Sequence, residues 1–252
     1  MLRSRLQSLA PPAPHGGIPF GDARVDACLP PQGLPLGALH EIAAGGIEAE
    51  TGALAAAFTA CWLARLPDAD TRPVLWIASG PADLNPAGLV AYGFDPARLL
   101  LARTEGDGGG RGTLAAAEAA LRSGGLAAVV AEAGRVGKLA ARRLHLACLG
   151  QGVTCFLLRR FPYGRSLAHD GDAGEAAPVA TRWHLAAAPS RPDWGEPGSP
   201  RWQVALRHAR GGRPGAWLME LDHADRQAAL PLRVVAGLAD AAPAPLRRLR
   251  AG

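Results

Sequence analysis

Between Ala43 and Leu54 the chain reads Ala43-Ala44-Gly45-Gly46-Ile47-Glu48-Ala49-Glu50-Thr51-Gly52-Ala53-Leu54. Glycines bracket a polar stretch between a strand candidate, 38–43, and a helix candidate, 52–65. Strand, glycine-bracketed loop and helix are the layout of a phosphate-gripping P-loop, G-x-x-x-x-G-K-[ST]. In that loop backbone N–H groups wrap the phosphate, a lysine neutralises its terminal charges and a hydroxyl holds magnesium. The outline is present here and the chemistry is absent. Ala53 and Leu54 stand where the lysine and hydroxyl belong, and Glu48 and Glu50 bring negative charge to the place of a triphosphate. A carboxylate a few ångströms from a phosphate in a partly shielded site costs on the order of several kcal/mol. The single lysine, Lys138, lies on a later helix candidate, and no arginine falls between Arg24 and Arg65, so no shift of alignment supplies the missing cation. Gly46, Gly52, Ala53 and Leu54 thus read as a degenerate phosphate loop, with no cofactor, metal or catalytic residue expected.

Other residues bear on chemistry more weakly. A strand candidate at 126–132 ends in Glu132, where nucleotide-binding proteins often carry a magnesium-holding acid. A carboxylate flanking or capping the next helix is the weightier reading. Arg159-Arg160-Phe161-Pro162-Tyr163-Gly164-Arg165 follows another strand candidate. There Arg159, Arg160 and Arg165 could hold phosphates of single-stranded DNA while Tyr163 stacks on a base. A solvated loop with Phe161 tucked into the core is the alternative, and carries somewhat more weight. Leu246-Arg247-Arg248-Leu249-Arg250 suits a partner with an apolar groove and an acidic rim, or else is a solubilising end. Arg142, Arg143 and His145 read as an exposed helix face. Ser79, Ser166, His169 and Asp170 lack the G-x-S-x-G elbow of a hydrolase. The four cysteines, Cys28, Cys61, Cys148 and Cys155, form no C-x-x-C pair and no zinc spacing, and read as isolated reduced thiols.

The elements that would position these residues alternate. Helix candidate 52–65 repeats Leu54, Phe58, Cys61, Trp62 and Arg65 at helical spacing. Val74-Leu75-Trp76-Ile77-Ala78 is an apolar run of the kind found in strands buried on both faces. A short helix at 86–93, a strand at 99–102, a helix at 113–123, the strand 126–132, a helix at 136–150 and a strand at 153–158 follow. This order predicts an α/β fold with a mostly parallel sheet and helices on both faces. Three further strands, 181–186, 201–208 and 215–222, with Ala209–Pro214 as a hairpin loop, would extend one edge in antiparallel fashion. Residues 1–35, rich in Pro and Gly, read as an irregular arm with a short helix, 36–222 as the core, and 223–252 as a tail that is mobile or orders on a partner.

With 252 residues, 48% of them hydrophobic, the chain has ample material for one such core. No apolar run reaches the roughly 18 residues of a membrane span, and Pro11, Pro12 and Pro14 follow the basic start where a secretory signal would place its apolar region. The expected compartment is the cytoplasm, without membrane contact. The net charge of +5 is carried almost wholly by arginine. It suits phosphate or carboxylate recognition, or simply reflects a GC-rich genome.

Two segments carry a resemblance. Gly33-Leu34-Pro35-Leu36-Gly37-Ala38-Leu39-His40-Glu41-Ile42 is similar to the entry into the first core strand of RecA-like proteins. Ala180-Thr181-Arg182-Trp183, and Arg201 to Gly215 with its Gly211-Gly212-Arg213-Pro214-Gly215 hairpin, resemble the late strands of ImuA proteins. The ImuA family is the RecA-like component of a bacterial damage-inducible mutagenesis cassette, and the likeness covers roughly 30–222. It implies a RecA-like core without a working P-loop and a non-catalytic role in the SOS response and error-prone translesion synthesis. The implied partners are ImuB, a Y-family-like protein without polymerase activity, an error-prone C-family polymerase and RecA itself. It also implies that the C-terminal part engages ImuB. A residual RecA-type ATPase and a SulA-like cell-division inhibitor remain as alternatives.

Overall fold

The computed structural model describes residues 16–45, 48–67, 70–79, 84–105, 110–134, 136–160, 178–191, 198–221 and 232–238. Among these residues nine strands form one sheet: β3 (Leu39–Ala44), β4 (Val74–Ser79), β5 (Leu99–Thr104), β6 (Ala128–Ala133), β7 (Thr154–Arg159), β8 (Thr181–Ala188), β9 (Arg201–Ala209), β10 (Gly215–Leu221) and β11 (Leu232–Gly237). Their order is β11-β10-β9-β8-β3-β7-β6-β4-β5. The six strands from β8 to β5 are mutually parallel. The wing of β9, β10 and β11 is antiparallel. The expected α/β architecture, a mostly parallel sheet with an antiparallel extension, is what the chain adopts.

The parallel strands are apolar on both faces because helices cover both. Ile42, Trp76, Val130, Phe156 and Trp183 point into one core with helix α2 (Glu48–Leu63). Leu39, Ile77, Val129, Cys155 and Leu157 point into a second core with α3 (Arg111–Ser123) and α4 (Lys138–Gln151). Two short 3-10 helices, Pro86–Tyr92 and Pro96–Arg98, link β4 to β5. No helix among the described residues is long and apolar enough to cross a membrane.

Every residue of α2 from Leu54 to Leu63 is buried, the pattern of a helix enclosed on all sides. The sheet covers one side. On the other lies the N-terminal segment, a two-stranded ribbon of β1 (Gly17–Ile18) and β2 (Leu34–Pro35) with the short helix α1 (Ala23–Asp26) between them. Phe20 meets Trp62 edge-on, with ring centres 5.5 Å apart. Phe58, Trp62 and Trp217 all pack on Trp183, at 5.3, 5.8 and 6.4 Å. The short helix expected in the arm is present, and the arm closes the core.

One strand falls outside the expected organisation. Leu232–Gly237 lies within the span read as a tail, yet it pairs antiparallel with β10 and buries Leu232 and Val234. The alternation Leu232-Arg233-Val234 gives it one apolar face, so among the described residues the sheet extends as far as Gly237.

His40 on β3 is fully enclosed. Its Nε2 lies 2.8 Å from the carbonyl of Pro35, which can only accept, so that nitrogen carries the proton. Its Nδ1, 2.8 Å from the Thr181 hydroxyl, then accepts, while the Trp183 indole N–H donates to the same hydroxyl at 2.9 Å. Burial is the main cause that lowers His40 to about 4, against the favourable Pro35 bond. The unfolded chain, with histidine near 6.5, therefore binds the proton first, and stability falls as pH drops below 6.5 towards 4. At pH 5 the loss from His40 amounts to about 2 kcal/mol. Urea unfolding at pH 8 and pH 5 will show a difference that shrinks by about that amount in His40→Gln.

Candidate functional site

The connection from β3 to α2 is the place a phosphate would occupy if the chain held one. It is short: β3 ends at Ala44 and α2 begins at Glu48. Gly45, which leaves the strand, donates its N–H to Leu185 O on β8 at 2.7 Å. The helix thus starts four residues earlier than the sequence suggested, and Glu48, Ala49, Glu50, Thr51 and Gly52 are helical. This corrects the picture of an eight-residue loop bracketed by glycines. Acidic residues in a first turn offset the positive end of a helix. The cost of a helical glycine, about 1 kcal/mol, is outweighed by burial of the following apolar turns. Ala53, at the place of the phosphate lysine, is exposed within α2, and Leu54 is buried. Gly46 lies outside the described residues.

The neighbouring strands carry two clusters of enclosed charge. Glu41 on β3 accepts from Arg182 Nε on β8 at 3.0 Å and has Arg159 of β7 at 3.6 Å. The register sets this up, since Glu41 lies beside Arg182 on one side and Leu157 on the other. All three side chains are 10% exposed or less, so they are ion pairs held largely out of water. Arg159 also donates through Nε to Gly134 O at 2.7 Å. His184, two residues beyond Arg182, is lowered to about 4, first by burial and then by the charges of Arg207, Arg182 and Arg159. On the opposite sheet face Glu132, at the end of β6, accepts the Trp76 indole N–H at 2.7 Å and pairs with Arg160 at 3.3 Å. Glu132 is therefore neither a helix cap nor an open metal ligand. Its carboxylate is shared between an indole and a guanidinium.

Arg159 and Arg160, candidates for phosphate contact, are thus drawn towards the two buried carboxylates, with side-chain exposures of 6% and 18%. Sequence reasoning passed over Glu41 and Arg182. The available signal was a carboxylate and an arginine inside otherwise apolar strands, where an unpaired charge is not tolerated. Tyr163, Arg165 and residues 246–250 lie outside the described residues, as do Ser166, His169 and Asp170.

The Gly211–Gly215 hairpin has a clear structural task. Gly211 adopts φ 79°, and a Cβ on Gly212 would collide with the carbonyl of Cys28 behind α1. The close approach lets Arg213 donate its backbone N–H to Cys28 O at 2.9 Å and its Nε to Ala27 O at 3.2 Å. The hairpin is a clamp on the N-terminal segment, which accounts for two glycines followed by arginine.

No family model matches the chain. Among curated proteins it is 40% identical over 226 residues to Protein ImuA of Caulobacter vibrioides, in each of two strains, covering 88% of this chain and 90% of that protein. The chain belongs to the ImuA family. The ImuA likeness read from the Ala180–Trp183 strand and the late hairpin is thereby borne out. In this ImuA family member those segments are parts of adjacent strands: Thr181 and Arg182 pair with Ala209 and His208 at the foot of the hairpin.

Proposed function

We propose that this protein is a non-catalytic accessory component of error-prone translesion DNA synthesis in the SOS response. In this reading it has a RecA-like core and assembles in the cytoplasm with an ImuB-type protein and an error-prone C-family polymerase. Membership of the ImuA family supports the setting. The parallel order β8-β3-β7-β6-β4, with β3 flanked by β7 and β8 and helices on both faces, supports the RecA-like reading.

The observation that carries the non-catalytic reading is the start of α2 at Glu48, with Ala53 at the lysine position. Five residues that would have to wrap a phosphate are spent on helix, and the sequence places two glutamates and no cation among them. The acids of β3 and β6, Glu41 and Glu132, are engaged by arginines and offer no ready seat for magnesium. Titration calorimetry with millimolar MgATP will give no binding heat. A saturable isotherm with 1:1 stoichiometry would refute this reading.

Assembly is tested by co-purification with the ImuB-type protein and the polymerase, with and without single-stranded DNA, across a salt series. Co-elution that does not depend on nucleotide is the expected result. We further propose that the ImuB-type partner engages the C-terminal residues around Leu246, Arg247, Arg248, Leu249 and Arg250. A chain ending at Leu238 keeps β11 and tests this cleanly: it should lose the partner while retaining its melting temperature. Contacts with RecA and with single-stranded DNA through Arg165 and Tyr163 belong to the same reading, and DNA retention on the column reports the latter.

A further inference from the structure

A cavity of about 760 Å³ opens at the hairpin end of the antiparallel wing, between β9, β10, the end of β11 and α1. Three arginines line it: Arg24 from α1, Arg207 from β9 and Arg213 from the hairpin. Arg24 is already committed, pairing with Asp22 at 2.6 Å and donating to Val234 O at 2.8 Å. Arg207 and Arg213 are exposed and have no carboxylate partner among the described residues. The accessible part of the remaining lining is largely apolar and includes Ala205, Pro214, Ala216 and Leu238.

We infer that this cavity is a docking site for an acidic peptide segment of a protein partner, with an apolar side chain inserted between Arg207 and Arg213. Charge complementarity favours an anion, and the apolar floor favours one that carries an apolar anchor. A phosphodiester chain brings no such group. Nor does the cavity offer a ring for bases to stack on, because Trp217 is only 4% exposed. The chain's own end is of the wrong sign: Arg247, Arg248 and Arg250 would face like charge. A second copy, at net charge +5, is disfavoured for the same reason.

The inference deepens the proposed role as an assembly partner and rests on it, but its test needs no partner protein. Fluorescence anisotropy on the full chain would use three labelled probes: an acidic nonapeptide with a central Leu-Phe, the same peptide with Ala-Ala there, and a dT oligomer. The Leu-Phe peptide should bind saturably and at least five-fold tighter than the other two. Arg207→Glu with Arg213→Glu should weaken it at least ten-fold. Lys138→Glu with Arg142→Glu, the same change of net charge on α4, should change it less than two-fold. Arg213 also bonds to Ala27, so Arg207→Glu alone, at an exposed position, serves where the double variant melts early, with at least a three-fold loss expected. Absence of saturable peptide binding, equal loss in the α4 variant, or tighter binding of the dT oligomer would each overturn the site. If co-purification fails while this peptide binds, the assembly reading falls and the cavity stands.

Discussion

Glu41→Gln will lower the free energy of unfolding by about 3–5 kcal/mol, the range for removing one partner of a buried ion pair. The substitution keeps shape and removes one charge. Arg159 and Arg182 then remain largely shut from water with their shared counter-charge gone. Desolvation of two guanidiniums, more than the lost attraction, sets the size of the effect. Urea unfolding at pH 7.5 measures it. Arg122→Ala, which breaks a pair whose arginine is 63% exposed, should cost less than about 1 kcal/mol. Replacing Glu41, Arg159 and Arg182 together by apolar residues of similar volume should recover most of the loss. A Glu41→Gln midpoint within error of the parent would mean that these charges are hydrated in solution.

Trp183→Ala should cost about 3–5 kcal/mol as well, by a different route. The ring is fully buried and touches Phe58, Trp62 and Trp217, so its removal empties the centre of the aromatic layer between α2 and the sheet. It also takes the indole donor from the Thr181 hydroxyl that serves His40. Trp183→Phe separates the two contributions, retaining part of the volume and losing the hydrogen bond. Calorimetric melting should place the alanine variant about 10 °C below the parent, with phenylalanine between them. An alanine variant that melts with the parent would show that the layer closes over the gap at no cost.

Much of the architecture was legible because parallel strands buried on both faces leave uninterrupted apolar runs, such as Val74–Ala78 and Val153–Leu158. The start of α2 was not. Gly52 looked like the end of a loop by local propensity, and only the enclosure of the turns that follow it, Leu54–Leu63, overrides that preference. The strand Leu232–Gly237 was hidden for the opposite reason. Its alternation is short and sits in a stretch dominated by Ala, Arg and Pro, and its stability comes from β10. Of the candidate site, the missing lysine could be read directly, since absence of a residue type needs no geometry. The fate of Arg159 and Arg160 could not. Their partners, Glu41 and Glu132, are distant in the chain and meet them only through strand register. The cavity at the hairpin was equally invisible, because it is assembled from α1, β9, β10 and the last strand.

The clamp between the hairpin and α1 has a consequence for biosynthesis. Ala27 and Cys28 leave the ribosome early, but the groups that hold them, Arg213 and its hairpin, are made more than 180 residues later, and Val234, which receives Arg24, later still. Until then the segment Ala27–Leu29 lacks the hairpin that clamps it, so the nascent chain carries an unsecured apolar segment for most of translation. Closure of such distant contacts is slow. Production of this protein should depend on chaperone supply, and fragments stopped before the hairpin should collect in inclusion bodies.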